Sequence, residues 1–294
     1  MKHTKYTVEY EDQYRDLLRD ILKYGDQKDD RTEVGTLSLT GLSMRIDLKN
    51  GFPILTGRRV SFKGFASELL WILEGSTDER RLAEILYQKD RKYLRDKRTI
   101  WTDNAEYQGK QKNFLNNDMR KDLGFMYGAS LRGKQGSGVD QLKDLEKNLR
   151  ENPSDRGHLV CYWFPERLHM GVLRPCHAMA QFHVQRHSLD CTVYQRSADM
   201  FLGVPFNIGY YALWTHLLAR ILGKEAGMLS WTGGDCHLYN NSLEGTQEYL
   251  KRPLFDLPNL GSLPLRKSSA DYKMKDLSLE NYQFNPEIKV EMAV

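Results

Sequence analysis

RPCHAMAQFHVQRHSLDCTVYQRSADMFLGVPFN, residues 174–207, carries more information than any other stretch of this chain. Residues Met179 to Val184 alternate apolar and polar side chains, as do Leu189 to Arg196, and a turn around His187 and Ser188 separates the two runs. Alternation of this kind predicts two antiparallel strands, each with one face in a core. Such a hairpin brings Cys176, just before the first strand, close to Arg196, at the end of the second. A thiol reacts as its thiolate, and a nearby guanidinium lowers thiol pKa and holds anionic groups in a bidentate fork. The pairing points to covalent catalysis on a phosphorylated substrate. Taken alone it leaves the plainer reading open, in which Cys176 is a small buried apolar residue.

The rest of the chain sets the frame for that site. The 294 residues are 40% hydrophobic, enough for a sizeable core, and no Pro/Gly/Ser linker, charge block or internal repeat divides them. One domain over 1–294 is expected, with mixed polar insertions around Gln88–Gly124 and Lys134–Gly138. A net charge of +4, spread over dispersed lysines and arginines, favours anionic small molecules as ligands, and nucleic acid is not expected. The four cysteines, Cys161, Cys176, Cys191 and Cys236, have neither metal-ligand spacing nor the density of a secreted disulfide scaffold, so no metal site is expected. No apolar run approaches a membrane span, and a soluble, reduced, cytoplasmic setting follows as the expectation.

Residues Tyr10 to Tyr24 carry apolar side chains at helical spacing and stop at Gly25. Thr36 to Leu48 alternates as a strand. Ser61 is placed to cap a helix running through Glu74, ended by Gly75. His158 to Trp163 is a further short strand, and Ile208 to Leu222 a strongly apolar helix that Asn207 could cap. Mixed elements in this order predict an α+β fold, a central sheet covered by helices.

The order Pro175-Cys176-His177, Gln181, Gln195-Arg196-Ser197-x-Asp199 and Leu202-Gly203-x-Pro205-Phe206-Asn207 resembles the thymidylate synthase family, and Gly234-Asp235-x-His237-Leu238-Tyr239 keeps the same register. Upstream, Asp30-Arg31-Thr32, Gly51-Phe52-Pro53, Glu68-Leu69-Leu70-Trp71, Ile100-Trp101 and Tyr127-Gly128 follow the family's order, and the chain closes on Met292-Ala293-Val294 as many members do. A likeness of this length is far more specific than any single motif.

The resemblance implies a large mixed sheet, one face of which packs against a second subunit, and transfer of a one-carbon unit from 5,10-methylenetetrahydrofolate to carbon 5 of dUMP. By the same resemblance Cys176 is the nucleophile at carbon 6, and Asn207 reads the O4 and N3–H edge of the base. Glu68 is the acid/base; otherwise it is an ordinary solvated helix glutamate. Tyr127, in a loop-like Met-Tyr-Gly, helps remove the carbon 5 proton, and His177 orients water. Arg31, Arg196 and Ser197 resemble phosphate ligands, with Arg156 reaching across from the partner subunit. Gln181 falls in the same substrate set, and His237 with Tyr239 resembles the pair that holds the sugar 3′-hydroxyl. Trp101, Asp199, Leu202, Gly203, Phe206 and the terminal Val294 resemble the folate contacts.

Four departures stand out. The usual Tyr-Gly-x-Gln-Trp-Arg is Tyr127-Gly128-Ala129-Ser130-Leu131-Arg132, the usual paired arginines are Arg156-Gly157, and the usual Thr-Gly-Thr-Gly-Thr is Thr32-Glu33-Val34-Gly35-Thr36. The Thr-Thr-Lys expected after Pro53 is Thr56-Gly57-Arg58. His158, Arg132 and Lys134 are candidates to compensate for the missing arginine. Because these changes are expected near the substrate, the preferred reading, reductive methylation to dTMP and dihydrofolate, has an alternative. Some relatives add water to the exocyclic methylene, and such an enzyme would make 5-hydroxymethyl-dUMP and release tetrahydrofolate. A third reading is an inactive relative kept as a nucleotide- or RNA-binding protein. Intact Cys176, Glu68, Asn207 and Arg196 speak against it.

Overall fold

Tyr10, Tyr14, Leu18 and Ile21 recur every three or four residues and are all buried, so the first helix forms by laying that stripe on the sheet. The computed structural model describes residues 9–291 apart from 31 and 137. Along them run α1 (Tyr10–Tyr24), β1 (Asp26–Lys28), β2 (Thr36–Asp47), α2 (Phe62–Leu73), α3 (Glu79–Tyr87), a short turn α4 (Thr102–Asn104), α5 (Tyr127–Leu131), α6 (Gln141–Glu151), β3 (Leu159–Cys161), β4 (His177–Val184), β5 (Ser188–Asp199), α7 (Gly203–Ile221), β6 (Glu225–Tyr239), α8 (Leu243–Lys251) and a small ribbon of β7 (Asn259–Leu260) with β8 (Leu279–Glu280).

Six strands form one sheet in the order β1-β2-β6-β5-β4-β3. Neighbours are antiparallel except β5 and β6, which run parallel because α7 carries the chain back between them. The alternation of the long strands resolves onto two faces. Met44, Ile46, Val160, Phe182, Val193 and Trp231 are buried on the face that α7 covers, where Trp214 meets Phe182 edge-on at 5.1 Å. On the other face Leu159, Met179 and Tyr194 remain 43%, 39% and 41% exposed, with Gln181 and Thr192 between them in register. That mixed sheet with helices packed on it bears out the α+β expectation.

Several expected boundaries hold, and their causes are visible. Ser61 caps α2 by accepting from the Gly64 amide, and Gly75 takes φ +72° just beyond the helix, a conformation natural to glycine. Helix α7, however, starts at Gly203, five residues before the expected Ile208. Pro205 lies in its first turn, where a backbone N–H has no helical partner to lose. Asn207 is therefore a residue of the helix and not its cap. Tyr127 likewise opens α5 instead of sitting in a loop.

Candidate active site

A cleft of about 1860 Å³ opens at the start of β4 and the ends of β5 and β6, bordered by α2 and α7. A pocket for one drug-sized ligand spans roughly 300–1,000 Å³, so there is room for two. Glu68, Trp101, Tyr127, Cys176 and His177 line one wall. Arg196, Ser197, His237 and Tyr239 line another, and Asp199, Leu202, Gly203, Phe206 and Asn207 sit where α7 begins.

Cys176 occupies the last position before β4 and is half-buried. Its carbonyl accepts from the Arg196 amide at 2.9 Å, which locks the thiol-bearing residue to β5. Of the Arg196 guanidinium, Nε donates to the Pro175 carbonyl and Nη2 to the Arg174 carbonyl, each at 2.8 Å, while the group stacks over Trp163 at 5.3 Å. Arg196 thus holds the cysteine loop as well as facing the cleft, and only part of its fork is left for a ligand. The other thiols differ. Burial pushes Cys191 up to about 12 and Cys236 to about 11, which keeps both protonated, and Cys161 points its thiol at the Trp163 carbonyl at 3.5 Å.

Glu68, Tyr127 and His177, of the wall beside Cys176, are buried. Glu68 on α2 is 7% exposed, and burial raises its carboxyl to about 7, against a smaller opposing effect from Trp101, whose indole N–H donates to Oε1 at 2.7 Å. The Tyr127 hydroxyl accepts from the Cys176 amide at 2.7 Å and lies 3.4 Å from that of His177. Burial holds that phenol well above the ordinary tyrosine range. His177, between Tyr127 and Tyr211 at ring distances of 5.0 and 5.3 Å, is driven down to about 4 by burial and is neutral at physiological pH.

Asn207 is oriented by a relay that begins with a group able only to donate. The Trp231 indole N–H donates to Gln195 Oε1 at 3.0 Å, so Gln195 turns its amide nitrogen toward Asn207 and donates to Oδ1 at 2.9 Å. The Asn207 carbonyl is thereby engaged, and the amide also hydrogen-bonds with the His177 side chain, which fixes its plane from a second side. Gln195 escaped the sequence reading as a site residue, although a signal existed: it falls at the inward parity of Leu189, Cys191 and Val193, where a polar residue is out of pattern.

The wall around Asp235 is fixed by hydrogen bonds instead. Asp235 accepts from Ser38 Oγ at 3.0 Å and faces His237 Nδ1 at 3.0 Å, with Lys28 Nζ at 3.4 Å from its other oxygen. Burial works against ionisation of Asp235, but these partners prevail and hold it below the usual carboxylate range. Asp30 does the same for the loop before β2, accepting from the Thr32 and Gly35 amides at 2.6 and 2.7 Å. Within that loop Glu33 takes φ +62°, at a position where the resembled pattern has glycine. Asp199 accepts from the Phe201 and Leu202 amides at 3.0 and 3.1 Å, yet burial raises its carboxyl. Arg58 is buried over the Phe201 ring at 4.4 Å with a hydrogen bond to the Phe201 carbonyl.

Arg156 and Gln181 do not line this cleft, which for Arg156 agrees with an expected reach into a second subunit and for Gln181 departs from the expected substrate set. Arg156 is exposed away from the cleft, and its carbonyl accepts from Gln181 Nε2 at 2.7 Å on the open sheet face. Arg31 and Val294 fall outside the described residues. Nor does the structure bear out the compensating candidates. Arg132 is committed to Asp140 and the Leu73 carbonyl, Lys134 to the Glu74 carbonyl, and His158 is buried. Arg174, which sequence reading passed over as a ligand, does line the cleft. Ser130 and Leu131 are buried within α5 and do not line it, so this departure concerns packing, whereas Arg58 and Thr32 border the cleft.

Fold and cleft define a class: α+β proteins that carry a cysteine just before a strand of the main sheet, in a large cleft bordered by helices. The sequence model described as Thymidylate synthase matches residues 12–294. The chain belongs to the thymidylate synthase family. It is 39% identical over 292 residues to a thymidylate synthase of Francisella philomiragia, covering 93% of this chain and 98% of that one. It is equally 39% identical to thymidylate synthases of Francisella tularensis subsp. holarctica and Listeria monocytogenes serotype 4b, with 96% of this chain and 99% of each relative covered.

Proposed function

We propose that this chain transfers a one-carbon unit from 5,10-methylenetetrahydrofolate to carbon 5 of dUMP and releases dTMP and dihydrofolate. The observation that carries the reading is that Cys176, Glu68 and Asn207, delivered by three different elements, line one cleft. The Cys176 thiolate adds to carbon 6, which turns the ring into an enolate with charge at O4. The Asn207 NH₂ donates to that oxygen, and a cytosine amino group would meet it donor to donor, which supports dUMP over dCMP. Neutral His177 and the carboxyl of Glu68, half-protonated near pH 7, manage the proton at O4. The Tyr127 hydroxyl accepts two backbone amides and keeps its own proton to orient the water that removes hydrogen from carbon 5.

Methylenetetrahydrofolate supplies the carbon unit and the hydride. Trp101, Leu202, Phe206 and Gly203 offer an apolar wall for it and Asp199 a carboxyl, with Val294 a further contact. Arg196 and Ser197, joined by Arg31 and by Arg156 from a second subunit, hold the phosphate, while His237 and Tyr239 hold the 3′-hydroxyl. The open sheet face, with Gln181 fixing Arg156 at its side, supports a homodimer that shares its sites. Residues 1–294 then act as one domain in a cytoplasmic enzyme. No helix among the described residues is long and apolar enough to cross a membrane.

Mass spectrometry of the nucleotide product tests the reaction. A gain of one methyl group, with the absorbance rise of dihydrofolate, is expected; one further oxygen would mean water capture and 5-hydroxymethyl-dUMP. Asn207→Asp should move relative activity toward dCMP. A fully active monomer in sedimentation would overturn the dimer.

A further inference from the structure

Glu79 and Arg80, adjacent at the start of α3, form an ion pair at 0% and 1% exposure, with both carboxylate oxygens 2.6 Å from guanidinium nitrogens. Burying such a pair contributes little net stability, and apolar replacements of similar volume are often as stable. Among the described residues, its other side-chain hydrogen bonds run to one neighbouring segment, residues 94–102. Arg80 donates to the Leu94 and Lys97 carbonyls at 2.8 and 2.9 Å, and Glu79 Oε1 accepts from the hydroxyls of Thr99 and Thr102 at 2.7 and 2.6 Å.

Thr99 passes this restraint on. Its oxygen, having donated to Glu79, accepts from the Trp101 amide at 3.2 Å, and the Trp101 indole donates to Glu68. We propose that Glu79, Arg80 and Thr99 are positioning residues that hold the Trp101 indole on the Glu68 carboxyl and so set the pH at which this acid changes state. The proposal rests on Glu68 being the acid of the reaction above. The Trp101 donor favours the ionised carboxylate, so loosening it raises the Glu68 midpoint. Glu68 acts electrostatically on the Tyr127 phenol of α5 and the Tyr210 phenol of α7, both held well above the ordinary range and uncharged at neutral pH. The Cys176 thiol and the neutral His177 of β4 line the same cleft.

The test is a ¹³C NMR titration of glutamate carboxyls in the full chain, with the Glu68 resonance assigned by its loss in Glu68→Gln, and with thermal melts to confirm folding. Thr99→Val should raise the Glu68 midpoint by roughly half a pH unit or more. Thr99→Ser should restore it, and Thr99→Val in a Trp101→Phe background should add nothing. Thr102→Val, which removes the second hydroxyl, serves if Thr99→Val does not fold. The kcat–pH profile should move by the same amount, with the KM for dUMP unchanged. A Thr99→Val titration that overlays the wild type, or a shift that persists without Trp101, would overturn the proposal. Because the titration needs no turnover, an inactive protein that gave the expected NMR shifts would refute the reaction and leave the positioning role standing.

Discussion

From Glu68 to His177 the ionisable groups of the cleft are governed by burial, which raises the carboxyl and the Tyr127 phenol and lowers the imidazole, whereas from Asp30 to Asp235 hydrogen bonds overcome burial and keep carboxylates charged. Both walls belong to one cleft and start from the same residue chemistry. What separates them is depth together with donors: Glu68 is buried, and Asp199 is raised by burial even with two amide donors, whereas Asp30 and Asp235 are only partly buried. Glu68 has a single recorded donor, the Trp101 indole, while Asp30 accepts from two amides and a hydroxyl. A buried carboxyl with few donors changes protonation near neutrality and suits proton transfer. One saturated with donors is a fixed charge suited to holding a hydroxyl or a loop in place.

The contrast breaks most decisively at the buried wall. Cys176→Ala should abolish the covalent adduct with 5-fluoro-dUMP and methylenetetrahydrofolate and cut turnover by at least about 10⁴-fold, while Cys191→Ala keeps the adduct. Glu68→Gln should lower kcat by roughly 10²–10⁴-fold and flatten the pH–rate profile around pH 7. The same variant carries a stability signature. The Glu68 carboxyl has its midpoint raised from 4.5 to about 7, so its cost to the folded state is absent below about pH 4.5, grows to about pH 7 and then stays constant. Chemical denaturation should therefore find Glu68→Gln gaining on the wild type by up to about 3 kcal/mol between pH 4.5 and 8, and no gain would mean that burial does not govern this acid.

Gln195→Leu sharpens the comparison by loosening Asn207 without touching either wall's acids. A loss of roughly 10- to 100-fold in kcat/KM for dUMP is expected, the range of one hydrogen bond to a developing charge. On the fixed wall effects should be small. Glu33→Gly relieves a left-handed glutamate in the Asp30 loop and should raise stability by up to about 1 kcal/mol, read as an increase of a few degrees in Tm.

The legibility of these features in the sequence follows the range of the forces behind them. Helix α1, the capped α2 and the β4–β5 hairpin could be read directly, because periodicity and Ser61 or Gly75 signals are local. The start of α7 was read five residues late, since Leu202-Gly203-Val204-Pro205 looks like a loop until Pro205 is seen to sit in a first helical turn. Most of the cleft's residues came through resemblance, because a lone Glu68 or Tyr127 says nothing of which way it faces. The Trp231–Gln195–Asn207 relay and the Glu79–Thr99–Trp101 chain stayed hidden because each joins residues remote or differently placed in sequence, and only tertiary packing brings them together. His158 and Lys134 illustrate the converse: residues of suitable chemistry near a gap in the pattern, one buried and the other bonded elsewhere.

The single parallel pair in the sheet bears on how the protein acquires activity after synthesis. Asn207 rides on the connection that joins β5 to β6, and its orienting tryptophan, Trp231, lies beyond that connection on β6. Pairing of distant parallel segments closes a long loop and is slow compared with closing the β4–β5 hairpin. During refolding, burial of the early hairpin should precede competence to trap a fluorinated nucleotide, and the lag between the two would time the docking of this crossover.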